Sequence, residues 1–425
     1  MVLFKPVKVI EIELSRPLVP ITGLDGWGAL YALIRWHGTP LGYLTRPLQE
    51  GSCSTAALAG SIARRHGTIL LRHRLRAALQ TPWQPPDGPS LADLLTAVPP
   101  AYAGHSPLVT VAVCTRDRTA DLSRCLDALV EVDYPALDRL VVDNAPSSDD
   151  TGRLIESQYP GVRYVRESNP GLDWARNRAI WEARGEIVAF TDDDAVVDRQ
   201  WVTALVRVFT DDDEVMAVTG LVVPHELETE AQQIFEHYGG FGRGYQRRWY
   251  SRSRRPGHQE NLHIGAGQFG TGANMAYRRS VFAAIGGFDP ALDVGTVTHG
   301  GGDLEMFFRV IQEGFLLVYE PAAVVRHRHR RTDAQLRSQI VTWGIGFHAY
   351  LIRSALNYPT VRGAIIRFAL WYFWKRHIRR LFLSLISSTD VPRPLMLAEL
   401  RGALTGLGRY HQARAAAARM TGDGR

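Results

Sequence analysis

Between residues 109 and 192 the chain alternates short apolar runs with helical stretches: VTVAVCT, DLSRCLDALV, LVVDN, DDTGRLIESQY, VRYVRE, GLDWARNRAIWEARG and EIVAFTD. Strands that are apolar throughout, rather than at every second position, are buried on both faces. When helices separate them they form right-handed βαβ units in a parallel sheet. Leu122, Cys125, Leu126 and Leu129 recur at helical spacing, and Gly185 marks the expected stop of the helix that follows NPG. Ligands of such sheets sit beyond the carboxyl ends of the strands. Thr115, Asp143 and Asp192 all stand at those ends, so three segments are expected to converge on one edge.

At that edge the run TDDDA places Asp192, Asp193 and Asp194 side by side after a buried strand. Side chains alternate along a strand, so Asp192 and Asp194 are expected on one side and Asp193 on the other. Two carboxylates on one side repel each other. A hard divalent cation such as Mg2+ or Mn2+ removes the repulsion and keeps positions open for phosphate oxygens. The second acidic run, Asp211 to Glu214, follows the amphipathic stretch WVTALVRVF and is expected to be a solvated loop between helix and strand.

Length and composition bound the remainder. A chain of 425 residues with 45% apolar and 22% charged residues is long enough for two or three domains. We expect an α+β segment over 1–104 with a strand in VKVIEIEL, a hairpin at HGTPLG and a helix from about Ser54. An α/β domain with a mostly parallel sheet follows over 105–335, and a helical, basic and aromatic region over 336–425. The TPWQPPDGPS stretch is expected to be a loop. A net charge of +6 suits anionic substrates or a phospholipid surface. Cys53, Cys114 and Cys125 are too few and too irregular for a disulfide framework or a zinc site. The start of the chain lacks the apolar core of a signal peptide, and no segment reaches 18 uncharged apolar residues. The expected location is cytoplasmic, or the inner face of the plasma membrane.

CTRDR, VVDN, NPGLDWARNRAI, FTDDDAVVD, GANMAYRRSVFAAIGGFDP and GGGDLEMFFRV occur in that order. Together they resemble the family 2 glycosyltransferases, inverting nucleotide-sugar enzymes of the GT-A fold with a metal-binding DxD motif. The resemblance covers roughly residues 107–335. It implies that Asp192 and Asp194 hold the cation, joined by His327, and that Asp193 belongs to the same donor site. It implies that Thr115, Arg116, Asp117 and Asp143 line the nucleotide pocket, that Arg176 and Asn177 lie near the phosphates, and that Gly272 and Asn274 approach the ligand. It also implies that Asp303 is the base that deprotonates the acceptor, with Glu305 in reserve. Gly302 stands where the family usually has a glutamate. Asn144 stands where many relatives have a second aspartate, and a turn role is its alternative.

The expected partners are therefore a nucleotide-diphosphate sugar and a glycan, lipid-linked or small-molecule acceptor. In RHRHRR, residues 326–331, His327 and His329 are expected to face one way and the arginines the other. GRGYQRRWYSRSRRPGH reads as a mobile loop on the acceptor side; with no nucleic-acid module elsewhere, no nucleic-acid partner is expected. IIRFALWYFWKRHIRRLFLSLIS interleaves bulky apolar residues with cations, which suits either peripheral membrane contact or packing on the catalytic domain. Two other readings stay open: a nucleotide-sugar-binding protein without turnover, and a metal-dependent nucleotidyltransferase or phosphoesterase.

Overall fold

The computed structural model describes residues 4–80, 90–100, 102–252, 263–386 and 391–422. Strands β1 (Val7–Glu13), β2 (Ala29–Trp36) and β3 (Thr39–Pro47) form a small sheet, β1 parallel and β3 antiparallel to β2. The expected hairpin joins β2 to β3. His37 and Gly38 take φ of 45° and 77°, the two positive values that a tight two-residue hairpin turn requires. Helix Thr55–Gln80 places Leu58, Ile62 and Ala77 in one cluster with Ile34, Leu41 and Leu44, so this segment has a core of its own. Most of the TPWQPPDGPS stretch lies outside the described residues.

The main sheet contains β4 (Val109–Thr115), β5 (Leu137–Asn144), β6 (Val162–Glu167), β7 (Ile187–Asp192), β8 (Ala195–Val197), β9 (Val215–Pro224), β10 (Arg248–Tyr250), β11 (Met275–Arg278) and β12 (Leu316–His327). Their order is β10-β12-β9-β11-β7-β4-β5-β6, with β8 paired to β12. Strands β6, β5, β4 and β7 run parallel, as do β9 and β12; β8, β10 and β11 run antiparallel to their neighbours. The sheet is thus mostly parallel, as its apolar strands predict. Val111 and Val113 pack with Leu122, Leu126, Trp201 and Leu205 on one face. Ala112, Leu140 and Val142 pack with Ala175 and Ala179 on the other. Helix Leu172–Glu182 ends short of its expected stop. A Cβ on Gly185 would lie 2.5 Å from the Thr110 nitrogen, so that glycine serves strand packing instead. Asp212 to Glu214 connect helix Trp201–Asp211 to β9, as expected of the second acidic run.

After β12 the chain is helical. Helix Asp333–Asn357 opens with a capping box between Thr332 and Gln335. Helix Arg362–Tyr372 continues through a π-type turn, Phe373–Arg379, into Arg380–Ile386, and helix Arg393–Gly422 follows. Helices Asp333–Asn357 and Arg393–Gly422 cross backbone to backbone: a Cβ on Gly402 would lie 2.2 Å from the Val341 carbonyl oxygen. Among the described residues no helix is long and apolar enough to cross a membrane.

The N-terminal segment grips the strand that carries His327. Arg35 Nη1 bonds Asp198 Oδ2 at 2.6 Å, and Arg326 reaches both Glu11 and Asp198, the latter at 3.2 Å.

Candidate active site

Sheet register assembles the site. Thr115 of β4 lies opposite Asp143 of β5, and Cys114 lies opposite Asp192 of β7, so the three strand ends meet at one edge. Immediately after the acidic turn, β8 pairs antiparallel with the end of β12, with Ala195 opposite His327. This pairing returns the imidazole to the carboxylates. His327 Nε2 is 3.1 Å from Asp194 Oδ1, and single ligand atoms of Asp192, Asp194 and His327 all lie within 4.8 Å of one another. The expected alternation holds: His327 and His329 are buried, Arg328 is partly buried and Arg330 is exposed. His329 bonds Glu236 Oε1 at 2.8 Å and stands apart from the triad.

Asp193 points to the other side, where its Oδ2 accepts from Thr115 Oγ1 at 2.8 Å and its Oδ1 from Arg118 Nη1 at 2.6 Å. Burial pushes the Asp193 carboxyl up to about 7, against the pull of Arg118. Burial also raises Asp192, and the neighbouring Asp194 raises it further. Asp194 is buried too, but His327 and Arg118 outweigh the burial and hold its carboxyl well below the usual range. Burial of His327 favours its neutral form, yet Asp194 overrides this and raises the imidazole. The Asp192 carboxylate takes no protein hydrogen bond among the described residues, and Nδ1 of His327 is buried without a partner. Two carboxylates and one imidazole at this spacing fit a hexacoordinate oxygen-preferring dication that tolerates nitrogen.

Beside the cluster, Arg176 is buried among Asp173, Asp192 and Asp303, whose charges together raise its already high pKa against the opposing effect of burial. Gly272 donates its N–H to Asp303 Oδ2 at 2.9 Å, and the Leu304 N–H reaches Asp303 Oδ1 at 2.9 Å. A Cβ on Gly272 would lie 2.5 Å from Arg176 Nη2, so glycine lets this backbone close on the guanidinium. Asp143 is fully buried. Its Oδ2 accepts from Tyr164 Oη at 2.9 Å, its Oδ1 has no partner, and burial raises its pKa. Arg116 and Asp117 stand exposed at the rim, Asp117 at φ 52° accepting from the Ser147 N–H at 2.8 Å.

Residues 110–286 match the model of the family described as Glycosyl transferase family 2. The central part of this chain is a glycosyl transferase family 2 domain. Relatives include the O-antigen chain rhamnosyltransferase WbaN of Salmonella anatum, 28% identical over 50% of this chain and 62% of that protein. The glucosyl-dolichyl phosphate glucuronosyltransferase of Haloferax volcanii is 24% identical over 43% of this chain and 56% of that protein. The chain therefore spans about three-fifths of the length of these curated relatives. Among solved structures, a mannosyltransferase from Pyrobaculum calidifontis, in complex with GDP-Man and Mn2+, aligns over 85% of this chain and 86% of its own. Its identity is 19% and its TM-score 0.44.

Three side chains named from the sequence are engaged elsewhere. Asn274 is fully buried; its Oδ1 accepts from Trp201 Nε1 at 2.9 Å and its Nδ2 donates to the carbonyls of Leu221 and Ala323. Asn177 exchanges two hydrogen bonds with the Phe288 backbone, at 2.9 and 2.7 Å. Glu305 is wholly buried between Arg309, at 2.6 Å, and Arg353. The amides are satisfied and the acid is paired, so these three brace the walls of the site. Asn144 accepts from the Gly171 N–H at 2.7 Å and donates to the Asn169 carbonyl at 2.8 Å, so it braces a loop distant in sequence instead of capping its own turn. The aromatic and arginine-rich stretch is anchored where it is described: β10 pairs with β12 and Arg247 pairs with Glu320; residues 253–262 lie outside the described residues.

Arg118 was not singled out by the sequence, yet it also bonds Asp194, at 3.0 Å, and so ties both acids of the turn. Its one signal is its place in CTRDR, two residues past Arg116. Asp173 was missed as well. It is buried, with Oδ1 on Arg176 Nη1 at 3.0 Å and Oδ2 without a partner, and a Cβ on Gly302 would lie 1.9 Å from that Oδ2. The departure at Gly302 thus has a steric cause, because a carboxylate from another helix fills the space. Gly302→Ala should destabilise the fold by about 1–3 kcal/mol through overpacking, which outweighs the roughly 0.5–1 kcal/mol that alanine gains over glycine in a helix. Urea unfolding of Gly302→Ala in the wild-type and Asp173→Gly backgrounds measures this. The loss should shrink in the second background, and additive losses would exclude the clash.

Proposed function

We propose that this protein transfers a sugar from a nucleotide-diphosphate donor to an acceptor hydroxyl, with inversion at the anomeric carbon. The observation that carries this reading is the Asp192, Asp194 and His327 cluster at the carboxyl edge of the main sheet, with Asp192 and Asp303 both close enough to the buried Arg176 to act on its charge. Asp303, which keeps acceptor capacity on both oxygens, takes the proton of the acceptor hydroxyl as that oxygen attacks the anomeric carbon. The bond from the anomeric carbon to the diphosphate oxygen breaks on the opposite face, and its electron pair leaves with the nucleoside diphosphate.

Asp192, Asp194 and His327 would hold Mg2+ or Mn2+, which when bound supplies neutralisation of the leaving diphosphate. Arg176 adds a fixed guanidinium to the same charge. Asp193 orients Thr115 and Arg118 at the donor side. Thr115, Arg116, Asp117 and Asp143 line the nucleotide end, where the unpartnered Oδ1 of Asp143 suits an N–H of the base. The partners are the sugar nucleotide, a glycan, lipid-linked or small-molecule acceptor, and a membrane touched peripherally by the C-terminal region.

The test is incubation of the purified protein with Mn2+, a panel of sugar nucleotides and candidate acceptors. Release of nucleoside diphosphate matched by glycosylated acceptor is expected. Pyrophosphate as product would replace this reading with nucleotidyl transfer, and donor binding without any product would replace it with a sensor.

A further inference from the structure

The helix from Arg362 to Ile386 has two contrasting faces. Its inner face carries Ile365, Phe368, Tyr372, His377 and Ser384. Phe347 meets Tyr372 with ring centroids 4.7 Å apart, His348 meets His377 at 5.7 Å, and Arg376 pairs with Glu399 at 3.0 Å. The outer face presents Ile366 at 48% exposure, Leu370 at 67%, Trp371 at 52%, Trp374 at 60%, Phe382 at 62% and Ile386 at 70%. Ile366, Leu370, Trp371 and Trp374 recur at spacings of three and four, and beyond the π-type turn Phe382 and Ile386 are again four apart. So many large apolar side chains in one exposed row mark an interaction surface.

Charge identifies the partner. No acidic residue stands between Asp333 and Asp390, while exposed Arg367, Lys375 and Arg379 flank the stripe and pair with no carboxylate among the described residues. Lys375 lies over the Trp371 ring, 4.7 Å from its centroid. Apolar bulk, two tryptophans and lysine or arginine on one helix face are the chemistry of a helix lying in a bilayer interface among anionic headgroups. No described helix is long and apolar enough to cross a membrane.

We propose that the outer face of helix 362–386 docks the protein on an anionic lipid bilayer. The helix also links that surface to the pocket. A Cβ on Gly265 would touch Phe368 at 3.4 Å, Gly265 opens the Ala266–Gln268 turn, and Gly267 faces Leu304, next to Asp303. Of the site residues, Asp303 is thus the one that the inner face of this helix approaches through a chain of contacts. On the transferase reading proposed above, a lipid-borne acceptor would enter from that side.

The test is co-sedimentation of the full chain with vesicles of phosphatidylcholine alone or with phosphatidylglycerol added. Partition should be at least tenfold stronger onto the anionic vesicles and should fall as salt rises. Trp371→Ser with Trp374→Ser, and separately Lys375→Glu with Arg379→Glu, should each weaken it at least tenfold, with thermal midpoints unchanged because these side chains are exposed. Equal partition of the variants and the wild type would overturn the proposal, as would a lipid-free dimer that these substitutions dissolve. Donor binding measured without vesicles reports on the transferase reading separately, and the variants should leave it unchanged.

Discussion

Asp303→Asn should lower turnover by about 10²–10⁴-fold, the span that a positioned general base contributes, while leaving donor affinity within about twofold. Asparagine keeps one oxygen, which can accept the Gly272 N–H and hold that loop, and gives up only the acceptor that faces the Leu304 N–H. What it loses is the capacity to take a proton. Turnover is read as product formed at saturating donor and acceptor, and affinity by calorimetry with donor and Mn2+. One comparison variant sharpens the reading. Glu305→Gln should mainly lower stability, since that carboxylate is locked between Arg309 and Arg353 and faces no substrate. Turnover of Asp303→Asn within about threefold of the wild type would remove Asp303 from the chemistry.

The parts of this site that were legible in the sequence are those set by strand geometry. Alternation along an extended chain separates Asp193 from Asp192 and Asp194, and His327 from its arginine neighbours, even though Asp193 and Asp194 stand in the turn after β7 and β12 ends at His327. Continuous apolar runs between helices announce a parallel sheet, and the ends of its strands announce the edge. Tertiary pairing has no such period. Strand β8 is three residues long and follows the acidic turn directly, so nothing in its composition shows that it will pair with β12 and deliver His327. Asn177 and Asn274 sit in motifs rich in glycine, alanine and arginine, where a ligand contact and a backbone brace demand the same amide. Asp173 and Gly302 fill one volume from two helices distant in sequence, a complementarity that only packing reveals.

Asp192→Asn should move function and stability in opposite directions. Asp192 and Asp194 are like charges held close, and burial together with Asp194 already raises the Asp192 carboxyl. Without a cation, a neutral amide at 192 removes that repulsion, so the thermal midpoint measured in chelator should rise or stay level. Donor affinity in Mn2+ should fall at least about a hundredfold, because one anionic ligand of a site worth several kcal/mol of charge stabilisation is gone. Chelation should produce a comparable loss in the wild type and little further loss in the variant, because both treatments remove the same link between protein and diphosphate. Asp193→Asn supplies the contrast: it keeps the 192, 194 and 327 cluster, and it should weaken the hold of Arg118 and Thr115 without abolishing the effect of Mn2+. If Asp192→Asn retained full Mn2+-dependent affinity for every sugar nucleotide that the wild type binds, the cluster would be an acidic turn buttressed by His327 and Arg118, and the diphosphate would have to be held by Arg176 alone.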